Sequence, residues 1–295
     1  MKLVTYSVDG RQSVGFLVKD QVCDLGKAAK AFKFDIEPGA DLVSVAKNEY
    51  RDILGKIEEA AQTSLEDDWC VPLSKAKLHA PYRPRQNILI AGGNTRDEFV
   101  PQRMRNGKPM LRYHTKAPSA VIGPGDEISW PRQLTTEVHA EPHLAVVIGE
   151  TASYVEPSEV MNKVFGFTVA TNVVAQDLKR KHGQWDKAVS LDTFMPWGPV
   201  VVTADEVDVA ELACRLWLNE RMAISGGAES GLLKTAEVLS ELSFGMVLHP
   251  GDVVLTGTAE SVGHGEVPER WLQDGDVVQS AIEGVVQIAN PVSTY

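Results

Sequence analysis

Short apolar runs, each bounded by glycine or proline, recur along this chain and restrict it to a fold built mainly from strands. Ile88-Leu89-Ile90-Ala91 stops at Gly92-Gly93, Leu144-Ala145-Val146-Val147-Ile148 stops at Gly149, and Val253-Val254-Leu255 follows Pro250-Gly251-Asp252. Phe165-Gly166-Phe167-Thr168-Val169-Ala170 and Val200-Val201-Val202-Thr203 repeat the pattern, and Glu283-Gly284 marks a final hairpin. Helical rhythm is confined to a few stretches: residues 43–61, a segment from Pro157-Ser158, and about 232–243. Strands and helices do not alternate, so a doubly wound sheet is not expected.

Ahead of these runs, Leu3–Tyr6, a turn at Asp9-Gly10, Val14–Val18 and Val22–Leu25 read as a meander. The proline-rich basic stretch His79–Arg85 is the best linker. The reading is mainly β with some α: a small N-terminal α/β domain over 1–80 and a larger domain over 81–295. Asp and Glu total 40 against 29 Lys and Arg, a formal charge of −11, which repels phosphate backbones and anionic membranes. Neither nucleic acid nor membrane is therefore an expected partner. The N-terminus lacks a signal peptide's apolar core, and no apolar run of about 18 residues occurs, so a cytoplasmic protein is expected. Cys23, Cys70 and Cys214 lie far apart without a CxxC pair, predicting neither a disulfide framework nor a zinc-finger set.

Glu141-Pro142-His143 stands just before the apolar run 144–148. Residues i and i+2 of a strand share a face, so this carboxylate and imidazole converge, with His139 on the same side. They would either chelate a divalent ion or form a polar strand end facing solvent. Asn172 sits among apolar neighbours, where an unsatisfied amide costs about 1–3 kcal/mol. It is either a third ligand through its carbonyl oxygen or a core amide bonded to backbone. Thr95 and Glu98 fit a capping box, with Pro101 ending the helix, and the functional alternative makes Glu98 a proton carrier on a lid. Thr256-Gly257-Thr258 closes a strand in a turn whose N–H and hydroxyl groups suit a carboxylate or phosphate. No GxGxxG, P-loop, HExxH or GxSxG motif occurs.

Taken together, Pro118–Asp126, Leu144–Gly149, Phe165–Ala170, Asp192-Thr193-Phe194, Gly198-Pro199, Pro250–Thr258, Asp274–Val278 and Asn290-Pro291-Val292 resemble the fumarylacetoacetate hydrolase (FAH) family, from about Asn87 to Val292. The resemblance implies a β-sandwich roll assembled as a homodimer. It also implies an enzyme that cleaves, hydrates, decarboxylates or tautomerises small oxo-acids. Three carboxylates would hold Mg²⁺, Mn²⁺ or Ca²⁺, and a lid histidine with a glutamate would activate water.

This chain departs from that pattern at the site. The family's Glu-x-Glu is Glu141-Pro142-His143, its aspartate is Asn172, and its lid histidine is Glu98 with Pro101 in the partner position. An expected lysine is Val189, an expected arginine is Gln176, and the usual Thr-Pro is Thr258-Ala259. Glu141, His143 and Asn172 would hold Mg²⁺ poorly; they suit Mn²⁺, another transition metal, or no metal. In the last case His143 becomes a candidate base, since an unperturbed imidazole titrates near 6.5. The expected catalytic groups are thus Glu98 and His143, with Lys116, Gln176, Gly257 and Thr258 binding a small-molecule substrate. The alternative is a non-catalytic member that binds or supports a partner subunit.

Overall fold

The computed structural model describes residues 1–63, 68–92, 94, 104–105, 108–109, 111–228, 230–257 and 270–295. Glu98, Pro101 and Thr258 lie outside the described residues, as does the capping box at Thr95.

The N-terminal part forms strands β1 (Lys2–Val8), β2 (Arg11–Val18), β3 (Gln21–Asp24) and β4 (Cys70–Pro72), an antiparallel meander. Helices α1 (Leu25–Ala31) and α2 (Arg51–Ala61) accompany it. The helical rhythm over 43–61 resolves into two 3₁₀ turns, Leu42–Ser44 and Asn48–Tyr50, followed by α2. Leu54, Ile57 and Ala61 form the buried stripe of α2.

The remainder supplies β5 (Ile88–Gly92), β6 (Arg112–Thr115), β7 (Ile128–Trp130), β8 (Val138–Ile148), β9 (Val164–Ala175) and β10 (Val200–Thr203). After these come β11 (Ala213–Leu218), β12 (Arg221–Gly227), β13 (Val253–Leu255), β14 (Val277–Ile282) and β15 (Val286–Thr294). Helices α3 (Pro157–Val160), α4 (Gln176–His182), α5 (Asp186–Val189) and α6 (Thr235–Ser243) lie between them.

One sheet runs β4-β3-β2-β1-β10-β9-β8-β13-β5-β6, so β1 extends the main sheet by pairing with β10. A second sheet, β7-β15-β14-β11-β12, packs across its face. Leu144, Val146 and Val169 meet Cys214, Ile282 and Ile288 of the second sheet in one core cluster. Thr171 donates to Ser280 Oγ at 2.7 Å across the same interface. On the opposite face, Ala145 and Val147 join a second core that includes Leu54 and Ile57. Burial on both faces explains why 144–148 is apolar throughout instead of alternating. At about 1.5–3 kcal/mol for each fully buried Val, Leu or Ile side chain, this region anchors the domain. The architecture is the mainly β roll expected from the sequence. No helix among the described residues is long and apolar enough to cross a membrane.

The cysteine expectation needs correction, because Cys23 and Cys70 form a disulfide. They lie 47 residues apart, yet the pairing of β3 with β4 sets them directly opposite one another, with Cα atoms 4.0 Å apart. Cys214 is free and buried. Thiol titration of the unfolded, unreduced protein should therefore find one reactive thiol. Finding three would overturn the pairing.

Gly166 separates Phe165 and Phe167 where β9 meets β10, and a Cβ there would lie 2.3 Å from the Val202 carbonyl oxygen. That atom is backbone in a paired strand and cannot step aside. Gly166→Ala should destabilise the protein by about 1–3 kcal/mol, read as a lower urea midpoint with an unchanged slope.

Candidate active site

Strands β8 and β9 pair antiparallel with Glu141 opposite Asn172, His139 opposite Val174 and His143 opposite Ala170. Strand alternation puts these side chains on one face of the sheet. The carboxylate and imidazole of the Glu-x-His motif therefore converge as the spacing predicts, but they are buried, not at a solvent-facing strand end. Glu141 Oε1 lies 3.0 Å from His139 Nε2, and Oε2 lies 3.2 Å from His143 Nε2. Asn172 Nδ2 donates to Oε2 at 2.9 Å. The amide is thus bonded to Glu141 and not to backbone, while its Oδ1 has no partner among the described residues.

Three donors on one carboxylate have an electrostatic consequence. Burial pushes the Glu141 carboxyl up, but the hydrogen bonds from His139 and His143, and their nearby charge, outweigh it and hold the acid well below the usual range. Two nitrogens facing an ionised carboxylate must present N–H, since a lone pair there would be repelled. In its neutral form His143 therefore carries its proton on Nε2, which leaves Nδ1 as the acceptor. Nδ1 is buried and has no hydrogen-bond partner among the described residues.

Around this cluster lie Ile90 and Gly92 of β5, His114 of β6, Lys179 of α4, Trp185, Val189 of α5, Asn94 and Gly257. Trp185 holds the wall together: its ring meets His114 edge-on at 4.8 Å, and Lys179 Nζ lies 3.6 Å from its centroid. Gly257, with φ +109°, passes so close to Asn94 that a Cβ would lie 2.8 Å from the Asn94 Cβ. Asn94 in turn donates to the Leu233 and Thr256 carbonyls at 3.0 and 2.7 Å, tying two loops to the rim.

The other sequence candidates occupy different places. Lys116 is fully buried and donates to the backbone carbonyls of Val173 (3.3 Å), Phe194 (2.9 Å) and Val189. Burial draws its ammonium down to about 7, opposed by the charge of Glu141, and it does not line the cavity. Gln176 is buried at the start of α4, its backbone N–H bonded to the Glu137 carbonyl at 2.7 Å, and it too is absent from the lining. Val189 does line the cavity. Sequence reasoning missed His114, Lys179 and Trp185, which only the strand order and the helices after β9 bring to the site.

The donor set does not match the divalent ion that the family resemblance implies. It offers one carboxylate, whose oxygens already accept from His139, His143 and Asn172, and two imidazoles whose facing nitrogens carry protons. No group of three His, Cys, Asp or Glu side chains among the described residues has a metal-holding arrangement. Hard cations prefer several charged oxygens, so Mg²⁺ and Ca²⁺ do not fit this cluster.

A folded carboxyl held low contributes stability that is complete above the unfolded value of about 4.3 and is lost as pH falls through the folded value. Glu141→Gln should cost about 3 kcal/mol at pH 7, and the gap to wild type should narrow as pH drops below about 4. Urea unfolding of both proteins from pH 3 to 8 checks this; a gap that stays constant, or is absent at pH 7, would show that Glu141 is not a buried charge.

Residues 88–293 match the family described as fumarylacetoacetate (FAA) hydrolase C-terminal. Oxaloacetate tautomerase YisK of Bacillus subtilis is 31% identical over 99% of this chain and 100% of its own. Fumarylacetoacetate hydrolase from the psychrophile Exiguobacterium antarcticum is 31% identical, superposes with a TM-score of 0.80 and covers 100% of both chains. A maleylpyruvate hydrolase from Sphingobium sp. SYK-6, solved with manganese(II) and pyruvate, is 26% identical with a TM-score of 0.78, covering 100% of this chain and 99% of its own. Motif order, fold and full-length similarity agree: the chain belongs to the fumarylacetoacetate hydrolase family.

Proposed function

We propose that this protein is a tautomerase of small oxo-acids, interconverting the keto and enol forms of a compound such as oxaloacetate. The observation that carries this reading is the Glu141–His143 pair, in which an ionised carboxylate fixes one ring nitrogen as donor and leaves Nδ1 free as a base. A base oriented by a buried carboxylate suits abstraction of a proton from the carbon beside a carbonyl. Tautomerisation needs one proton moved and no activated water, which accords with a site lacking the family's lid histidine. The name of the B. subtilis relative supports the same reaction class.

In this reading the substrate's carboxylate meets Lys179, held over the face of Trp185 at the cavity wall. Asn172 and His139 take no proton; they hold the Glu141 carboxylate so that His143 keeps one tautomer. With the carboxylate engaged by three donors, turnover is expected without added Mg²⁺ or Mn²⁺.

The test follows the ultraviolet absorbance of enol-oxaloacetate as it ketonises in the presence of EDTA-treated protein. The wild type should accelerate the reaction, and His143→Gln, which keeps an N–H toward Glu141 but loses the base, should reduce kcat by ~10²–10⁴-fold. A rate equal to buffer would overturn the tautomerase reading and favour a non-catalytic role. Activity that returns only with Mn²⁺ would overturn the metal-independent form.

A further inference from the structure

The geometry points to His114 as the hydrogen-bond donor that polarises the substrate's carbonyl oxygen and stabilises the enolate. His114 lies on β6 opposite Ile90 and lines the same cavity as His143 and Lys179. Both of its ring nitrogens are buried, and neither has a hydrogen-bond partner among the described residues. An unsatisfied buried N–H costs about 1–3 kcal/mol, and a native fold that keeps one needs a reason for it.

The ring's position is built, not incidental. Trp185 packs against it edge-on, and Gly92 leaves the room: a Cβ at Gly92 would lie 3.0 Å from His114 Cε1 and 2.6 Å from Trp185 Cζ3. Burial pushes the His114 imidazole down to about 3; the charges of Lys116 and Lys179, and of His143 once it is protonated, act in the same direction, and Glu141 opposes them. The ring is therefore neutral at pH 7 and carries one N–H, whichever nitrogen holds it. A neutral imidazole is an effective electrophile toward a carbonyl, as in triosephosphate isomerase, because it can donate without surrendering its proton.

The step balances within the site. His143 Nδ1 takes a proton from the carbon beside the carbonyl, and the C–H electron pair becomes the carbon–carbon double bond. The carbonyl π pair moves onto oxygen, where the His114 N–H meets the developing charge. The proton on His143 then passes to that oxygen, completing the enol, and His114 keeps its own proton throughout. No co-reactant is consumed. His114 would thus supply the oxyanion stabilisation that a metal ion supplies elsewhere in the family.

This inference rests on the tautomerase reading for its reaction, so its test also uses a readout independent of turnover. Oxalate is a planar dianion that resembles the enolate of an oxo-acid, and its binding is measured by calorimetry in EDTA-containing buffer. Relative to wild type, His114→Phe should weaken oxalate by ~10-fold, the loss of one hydrogen bond. It should also lower kcat by ~10²-fold with KM little changed. His114→Gln, which restores an N–H donor, should recover most of both.

Oxalate binding that depends on His114, without tautomerisation by the wild type, would support the donor and sink only the reaction assignment. Wild-type turnover that persists in His114→Phe would sink the donor and leave the reaction standing. Failure of the wild type to bind oxalate, or a His114→Gln protein as impaired as His114→Phe, would also overturn the donor role, the latter leaving only packing against Trp185.

Discussion

Everything at this site depends on keeping one charge, that of Glu141, inside the protein. A buried carboxylate costs several kcal/mol in lost hydration, and the cost is offset here only because three donors reach its two oxygens. That arrangement exists only in one register of β8 against β9. Alternation along β8 sets His139 and His143 on either side of the acid, and pairing sets Asn172 directly opposite. A slip of one residue would turn the whole cluster to the other face. The apolar residues that follow, Leu144 and Val146 against Val169 and Phe167, hold the register through their burial. Core packing and site assembly are therefore one constraint.

Spending the carboxylate in this way changes what the pocket attracts. Its negative charge is matched by the donors around it, while Lys179 lines the wall and Lys116 lies beneath. A chain of net charge −11 would thus take up an anion in the reading proposed above. The two facts are compatible, because exposed charges more than about 8–10 Å away are largely screened at physiological salt. Long-range repulsion would slow an anionic substrate's approach more than it would weaken binding once the ligand is inside.

The strands could be read from the sequence because burial on both faces leaves uninterrupted apolar runs such as 144–148. The convergence of Glu141 and His143 followed from strand alternation, a local property. What local sequence lacked was the partner strand. It could not show that Asn172 bonds to Glu141, or that β6 brings His114 beside β5. Lys116 illustrates the opposite case. Its charge made it a natural candidate for substrate, yet three backbone carbonyls enclose the ammonium. Cys23 and Cys70 were misread for the same reason as Asn172, since only pairing at the sheet's end sets them together.

Pro142, which reads as a mere spacer between two functional residues, has a consequence for the backbone beside the cavity. Leu144 and Pro142, two positions apart, turn their backbone groups toward the same neighbour, β13. Leu144 still accepts from Thr256 N–H at 3.2 Å, but Pro142 has no N–H to offer the next rung. Pairing with β13 spans Ala145–Val147, while β8 and β9 stay paired through Val138. Gly257 then takes a positive φ that a side chain would resist, and packs against Asn94. The gap between the parted strands is bordered by Glu141, His143 and Gly257. Among the described residues the last hydrogen bond of this ladder, from Thr256 to Leu144, thus lies next to His143 and the cavity it lines.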